Sequence, residues 1–455
     1  MDILHKRLSK DMLCDLELIK QQVIKIHKDR VLIDFTDHGI KHSERMIELL
    51  ILLCKDNVFR NRKTKGNIND IEIFVLLSAI YMHDIGMQIS EEKVLEDFAK
   101  EKGLSYKKEK KEEFIRKYHH LLSGYWIECN LKRNKKLPQV YFGEKELGKY
   151  IQLIVESHGI DFLEDDRYHQ EYSYKGKSIR LRILSILLSL GDSLDCDCRR
   201  IDFDKMKYTE IDFYSQLHWL KHYYVNSIMI ENSIVKVFYS FPKLKEHEKQ
   251  LYKMYFSHLN TYWMKHNKEK FLDCLSVFDF VFEIQEFYEE NELKEKVSEK
   301  GYLEIEEELV DQIDHNRYIE DDMSVIVPNF RIAIGILKKD AQVLLVKRRE
   351  QEGNLLWQFP AGIIKPKETA EEKMVREFQE ETGVTVKVER LLGKRIHPDT
   401  KAICYYFVLK YIEGEAINGD ERENMEVKWV SVDAYKGLVT SDLYSKIETY
   451  LSSNA

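Results

Sequence analysis

Three glutamates, Glu377, Glu380 and Glu381, stand at positions i, i+3 and i+4 of a stretch rich in helix formers. On an α-helix that spacing puts their carboxylates on one face. Carboxylates so close repel one another unless a hard divalent cation sits among them, and Mg2+ prefers such oxygen donors. Arg376 adjoins them, and its forked guanidinium suits a paired bond to a carboxylate. A second set is spread along the first half of the chain: His38 and His42, His83-Asp84, His119-His120, His158 and Asp192. One histidine alone is most often a packed or surface residue. An ordered series of imidazoles and carboxylates is what transition-metal sites are built from.

The glutamates belong to a longer pattern. Gly362, Glu368, Arg376, Glu377, Phe378, Glu380, Glu381, Gly383 and Val384 satisfy G-x5-E-x7-R-E-U-x-E-E-x-G-U at every specified position, U being apolar. Residues 325–455 therefore resemble a Nudix hydrolase domain. The resemblance implies hydrolysis of a nucleoside diphosphate linked to another group, with Mg2+ or Mn2+ held by Glu368, Glu377, Glu380 and Glu381 and with Arg376 orienting a carboxylate. The general base varies within that family, and here it is a glutamate of the motif, Glu423 or Glu426. Arg331, Phe359, Tyr405 and Trp429 are candidates to line a base pocket, each equally readable as packing. Arg395–Thr400 reads either as a substrate loop or as a turn, and Lys347-Arg348-Arg349 either as an anion contact or as a solvated turn. Gly383 fits a helix C-terminus, where a left-handed residue costs least without a side chain.

The histidine and aspartate series, with its H…HD…H…H…D order and the trailing Gly191-Asp192-Ser-Leu-Asp195, resembles the HD superfamily of metal-dependent phosphohydrolases. Its chemistry calls for His42, His83, Asp84 and Asp192 around one ion, and for His158 with His119 or His120 around a second, Asp84 bridging. The ions would be Mn, Fe, Co, Ni or Mg2+, a pair about 3.5–4 Å apart that activates water and clamps a phosphate. Arg116 is a candidate phosphate contact, and Arg45 is either one or a plain ion pair. His38, one turn before His42, is either a substrate-facing residue or a surface one.

These side chains need scaffolds of two kinds. Residues 1–200 have helical periodicity throughout, with helices expected near 11–28, 42–55, 71–86, 111–130, 147–158 and 178–194. Residues 201–313 read as an extension with a hairpin, Ser227–Ile230 and Ile234–Tyr239 flanking residues 231–233, followed by two long charged helices near 243–267 and 271–313. No catalytic pattern stands out there. Only two of the six prolines precede residue 328, and the alternating pattern after it reads as mixed α/β. The expected architecture is multidomain: an all-α HD domain, a mixed α+β extension, a linker at 314–324 and an α/β/α Nudix sandwich from 325 to 455.

With 455 residues the length prior suggests about three domains. A formal net charge of −8 excludes a broadly basic surface for duplex nucleic acid. Seven scattered cysteines, with no C-x-x-C, fit reduced thiols in the cytoplasm. The N-terminus lacks an apolar signal core, and the longest apolar stretch, Ile71–Met82, is shorter than the ~20 residues that span a bilayer. The expectation is a nucleotide phosphohydrolase with two metal sites and no membrane partner, with self-association through the extension or the Nudix domain as an option. The two sites would act in sequence from triphosphate to monophosphate to nucleoside. Alternatively the HD site would cut a cyclic or oligonucleotide signal beside a separate Nudix activity on a dinucleotide or ADP-ribose, or would sense a nucleotide and gate the Nudix site.

Overall fold

The structure is a computed structural model that describes residues 2–27, 38–60, 67–133, 137–159, 161–202, 213–315, 331–352, 355–365, 368–397, 402–439 and 443–452. The chain divides into two compact units, Met1–Glu295 and Lys296–Ala455.

The first unit is built on helices. Asp70–Met82 is apolar on every side and is buried along nearly its whole length. Its start is set by a capping box in which Asn69 accepts from the Glu72 backbone and Glu72 from the Asn69 backbone. The Glu72 carboxylate, fully buried, is met by Arg180 through Nε and a terminal nitrogen, both at 2.7 Å. Around this helix stand Lys10–Ile26, Ile40–Cys54, Lys111–Leu131, Lys145–Ser157 and Leu181–Leu194. Close approaches are made at glycines. A Cβ on Gly191 would lie 2.9 Å from Leu50, so the Leu181 and Ile40 helices nearly touch there. A short hairpin, Tyr172–Tyr174 with Lys177–Ile179, interrupts the helical series.

The expected hairpin forms as Val225–Glu231 and Ile234–Phe241, turning through Asn232 and Ser233, both with positive φ. The long helix expected over 271–313 does not form. Lys268–Leu275 is followed by a strand, Glu283–Glu290, which pairs in parallel with Ile234–Phe241. Burial alternates along it, and Phe287 and Tyr288 stack on Phe238 and Tyr239, cross-strand contacts that a continuous helix would forgo. Helix resumes only at Glu299–His315, in the second unit. Of the expected linker, residues from 316 onward lie outside the described ones.

The second unit is a mixed sheet between helices. Its order runs Thr385–Ile396, Ile403–Glu413, Arg331–Lys339, Gln342–Glu352, Asn424–Ser431, with Ile403–Glu413 parallel to Arg331–Lys339 and the other pairs antiparallel. Strand alternation sends Gly335 to one face, where a Cβ would lie 2.9 Å from Phe378 and 3.0 Å from Met374 of the helix Ala370–Thr382. Ile334 and Ile336 face the other side, in a core with Trp357, Tyr406, Ile447 and Leu451. That core takes in the helix Ser445–Ser452 and Leu303 from Glu299–His315. Among the described residues no single helix is long and apolar enough to cross a membrane.

Candidate functional sites

Five helices of the first unit bring the histidine and aspartate series to one point. His83 caps the end of Asp70–Met82, and Asp84 opens the 3-10 turn Ile85–Gln88. His42 lies in Ile40–Cys54, His119 in Lys111–Leu131, Asp192 in Leu181–Leu194, and His158 caps Lys145–Ser157. Gly86 lets the turn approach: its N–H donates to Ser123 Oγ at 2.7 Å, where a side chain would collide with the His119 carbonyl.

The hydrogen bonds decide which nitrogen of each ring is available. His83 Nδ1 donates to the Ile80 carbonyl at 2.8 Å, His119 Nδ1 to Arg116 at 2.7 Å and His158 Nδ1 to Val155 at 2.7 Å. A carbonyl can only accept, so each Nδ1 carries its proton and each Nε2 is left as the donor to a cation. His42 Nδ1 does the same to the Asp195 carboxylate at 2.6 Å. The four Nε2 atoms then converge in pairs: His42 and His83 at 3.3 Å, His119 and His158 at 3.0 Å. Two nitrogens each about 2.0–2.1 Å from one ion sit about 3.0–3.4 Å apart, so both pairs are spaced as ligands of a common metal. Asp84 belongs to both. Its Oδ2 lies 3.0 Å from His83 and 4.0 Å from His42, and its Oδ1 3.5 Å from His119 and 3.7 Å from His158. The groups His42-His83-Asp84 and Asp84-His119-His158 each bring one ligand atom per residue within 4.8 Å of one another. Asp192 adds an oxygen 3.2 Å from His42 Nε2.

The electrostatics agree with a cation site. Burial disfavours charge on His83, yet Asp84 outweighs it and pushes the imidazole up to about 9. The carboxylate calls for positive charge at Nε2, which a proton or a metal ion can supply. His158, buried beside His119 and His83, is held well below its ordinary value and stays a neutral donor.

His120 is not a ligand candidate in this geometry. Its ring packs on Gly159, where a side chain would collide with it, and its buried Nδ1 has no hydrogen-bond partner among the described residues. Burial pushes it down to about 3. Being next to His119 on one helix, it points about a quarter-turn away. Arg45 takes the ion-pair alternative. It does not line the cleft but holds Asp195, at 2.8 and 3.1 Å. His38 lies 2.8 Å from Asp84 Oδ2 and lines the cleft.

That cleft, about 270 Å³, is walled by Asp84, His119 and Asp192 together with Arg116, Arg200 and Lys221. His218, Lys221 and His222 come from the helix Phe213–Tyr223, in the extension where the sequence showed no catalytic pattern. Their signal was there only as H-x-x-K-H on a helix, too common to single out. Asp195 was quoted in its motif without a role. The structure makes it the outer partner of His42, the arrangement that fixes a ligand's tautomer.

In the second unit the helix Ala370–Thr382 starts with a capping box between Thr369 and Glu372 and ends at Gly383, with φ 72°. The carboxylates of the acidic motif, Glu368 ahead of the helix and Glu377, Glu380 and Glu381 on it, each lie near a cation. Arg376 bonds Glu368 at 2.8 and 3.0 Å and Glu380 at 2.7 Å, Lys373 pairs with Glu377, and Arg348 lies 3.5 Å from Glu381. Glu381 is buried, and its Oε2 has no hydrogen-bond partner among the described residues. Burial pushes its carboxyl up to about 7 against the pull of Arg348. An orphaned buried oxygen on this acidic face is what a divalent cation would satisfy.

A cavity of about 550 Å³ opens beside Glu377. Phe359 lines it, as do Arg395, His397 and Tyr406, whereas Arg331, Tyr405 and Trp429 do not. Residues 398–400 of the expected substrate loop lie outside the described ones. Glu423 lines the cavity and bonds Arg348 at 2.7 Å, whereas Glu426 is exposed and stands off it. Arg395 is buried, bonds Tyr406 at 3.0 Å, and stacks near the rings of Tyr406 and Tyr444.

Comparison with known proteins agrees with both units. The HD-CE family model matches residues 32–264, just over half of the chain, and the NUDIX domain model matches residues 329–448. An ADP-ribose pyrophosphatase of Methanocaldococcus jannaschii is 38% identical over 96 residues, 20% of this chain and 57% of the relative. An RNA pyrophosphohydrolase of Escherichia coli is 31% identical over 121 residues, 22% of this chain and 67% of the relative. The chain thus spans between about half and two thirds of the length of these relatives. Among solved structures, an ADP-ribose pyrophosphatase of Streptococcus suis aligns over 28% of this chain and 91% of its own at 16% identity, with a TM-score of 0.23.

Proposed function

Because the chain belongs to the HD-CE family and carries a NUDIX domain, we propose that it is a metal-dependent nucleotide phosphohydrolase with two active sites. The NUDIX site hydrolyses a nucleoside di- or triphosphate derivative at its diphosphate linkage. The HD-CE site hydrolyses a phosphate ester. The observation that carries the second half is Asp84 shared between two trios whose histidines all present Nε2.

Divalent ions at these donors, Mg2+ or Mn2+ on the NUDIX helix and two of Mn, Fe, Co, Ni or Mg2+ in the HD-CE cleft, would supply charge against phosphoryl oxygens and a nucleophile from water. The chain's own residues do the rest. Asp195 and the backbone carbonyls hold the histidine rings in one tautomer. Arg200, which reaches toward Asp192 at the metal end of the cleft, orients the phosphate under attack. In the NUDIX cavity Arg376 holds Glu368 and Glu380 in place, Phe359 and Tyr406 offer ring faces to a base, and Glu423 is the candidate to take a proton from the attacking water. Seven free cysteines suit a reducing, cytoplasmic setting.

In the simplest order the NUDIX site takes a triphosphate to the monophosphate and the HD-CE site takes that to the nucleoside. The test is product analysis over nucleoside mono-, di- and triphosphates, dinucleotides, ADP-ribose and cyclic dinucleotides, with Mg2+ and with Mn2+. Asp84→Ala should stall at the monophosphate and Glu380→Gln should leave the triphosphate intact. Equal nucleoside yield from both variants would refute the two-site assignment. A second reading, favoured by the cations of the HD-CE cleft, gives that site a cyclic or oligonucleotide phosphodiester, with NUDIX acting on a separate dinucleotide or ADP-ribose.

A further inference from the structure

The HD-CE cleft holds more positive charge than one phosphate needs. Its walls carry two carboxylates, Asp84 and Asp192, against three basic side chains, Arg116, Arg200 and Lys221. Both carboxylates are also in reach of the histidine trios, where divalent ions would neutralise them. A terminal phosphate brings only about −1.5 to −2, and metal ions in the trios would meet that charge by themselves. The three side chains come from three separate elements: Arg116 from Lys111–Leu131, Arg200 from the 3-10 turn Cys198–Arg200, and Lys221 from Phe213–Tyr223.

Their environments differ. Arg200 is buried and reaches His38 at 3.1 Å and Asp192 at 3.8 Å, so it is tied to the metal end of the cleft. Arg116 lies one turn before His119 on the same helix. Lys221 has no carboxylate within ion-pairing distance among the described residues. Its helix is fixed from behind, where Asn260 donates to the Lys221 carbonyl at 3.1 Å. A lysine held in a cleft wall without a counter-ion is a place for a ligand's negative charge.

We propose that Lys221, with Arg116, forms a second anion subsite in the HD-CE cleft. It takes a phosphate that is not attacked, so this site prefers nucleotides carrying at least one phosphate beyond the scissile one. The proposal rests on reading the cleft as a phosphate-ester site, and within that reading it favours a substrate with a second phosphate over the monophosphate of the sequential order. A nucleoside monophosphate would leave the subsite empty. A polyphosphate nucleotide or a phosphodiester-linked oligonucleotide would fill it.

The test reads binding, apart from turnover. Inorganic phosphate, pyrophosphate and tripolyphosphate are titrated calorimetrically into the full-length, chelator-treated protein, wild type beside Lys221→Ala and Lys221→Arg. Affinity should rise with phosphate number in the wild type. Lys221→Ala should bind tripolyphosphate at its HD-CE site about tenfold more weakly, the factor that ~1.4 kcal/mol represents, with orthophosphate changed less than about twofold. Lys221→Arg should restore most of the loss. Any tripolyphosphate bound in the NUDIX cavity is common to all three proteins and cancels in the comparison. Equal tripolyphosphate binding by wild type and Lys221→Ala overturns the subsite, as does a wild type that binds all three anions alike. Metal analysis of the same variants separates this from the underlying reading: Lys221→Ala should retain the ions that His83→Ala loses. Competition of bound tripolyphosphate by a nucleoside triphosphate against a 5′-phosphorylated dinucleotide then identifies which source of the second phosphate fits.

Discussion

Asp195→Asn isolates one atom's contribution to the HD-CE metal site. Asp195 is fully buried, and its carboxylate serves two donors, His42 Nδ1 at 2.6 Å and Arg45 at 2.8 and 3.1 Å. Burial alone would raise its pKa. The bond and charge of His42, with Arg45, outweigh that and hold the carboxyl well below the ordinary range. Asparagine keeps the shape but has one acceptor oxygen and no charge. If that oxygen stays with Arg45, the amide nitrogen faces His42 Nδ1, and the ring proton must move to Nε2, the atom facing His83 and Asp192. If it stays with His42, Arg45 loses its ion pair and His42 becomes a weaker donor. A charge-assisted hydrogen bond is worth about 1.5–3 kcal/mol, which converts to roughly 10–100-fold in affinity. Loss of a ligand's outer partner elsewhere costs about the same. Among the described residues no hydrogen bond or ion pair joins Asp195 to Asp84, His119 or His158, so the ion of that trio should remain. Equilibrium dialysis against graded Mn2+, with metal analysis, should show one of two ions weakened 10–100-fold. NUDIX hydrolysis in the same sample reports whether the rest of the protein is intact. Two ions held with wild-type affinity would refute the assignment of Asp195 as the group that orients His42.

Three other outcomes follow from the geometry. His119→Ala should lose one ion per chain, whereas His120→Ala should keep both and lower the melting temperature, since that ring packs on Gly159 and against the rings of His119 and His158; the reverse pattern would exchange their roles. Glu307→Ala should raise the NUDIX KM with little change in kcat. Glu307 bonds Tyr444 and Lys446, each at 2.6 Å, and Tyr444 lines the cavity; its loss is worth about 1–2 kcal/mol of positioning. A kcat loss at unchanged KM would contradict this. Glu286, buried against helix Glu246–His266, is held below the usual carboxylate range: burial opposes ionisation, and Lys265 with Thr261 and Ser257 overcomes it. A depressed folded-state pKa stabilises above the unfolded value near 4.3 and loses that stability as pH falls through the folded one. Melting temperatures measured from pH 7 down to pH 3 should therefore show Glu286→Gln less stable at neutral pH and less sensitive to acid than the wild type. Parallel curves would exclude that contribution.

The helices of the first unit were legible from periodicity because each buries a face against its neighbours, and Asp70–Met82 because it buries all of them. The segment after residue 271 was misread for a related reason. Glu283–Glu290 carries charges that suit a solvated helix, and its strand character comes from Phe238 and Tyr239, some 50 residues away. Local composition cannot register such a partner. Glu299–His315 was legible as helix, yet nothing in its own residues said that Leu303 would enter the core of the sheet that follows.

The same division runs through the sites. The acidic helix face could be read from the chain alone because i, i+3 and i+4 are neighbours by covalent geometry, whatever surrounds the helix. The histidine series could be read as a set, with its order and its bridging aspartate. What a one-dimensional spacing does not carry is direction. Whether His119 or His120 turned toward His158, whether Arg45 faced the cleft or Asp195, and whether Lys221 reached the same cleft as Asp84 depended on how helices far apart in sequence pack. Ring tautomers likewise depended on backbone carbonyls one turn back lying within reach of each Nδ1. The residue types for the chemistry were determined by the sequence, and their aim was decided by tertiary packing, because burial and distance between helices exist only in the folded chain.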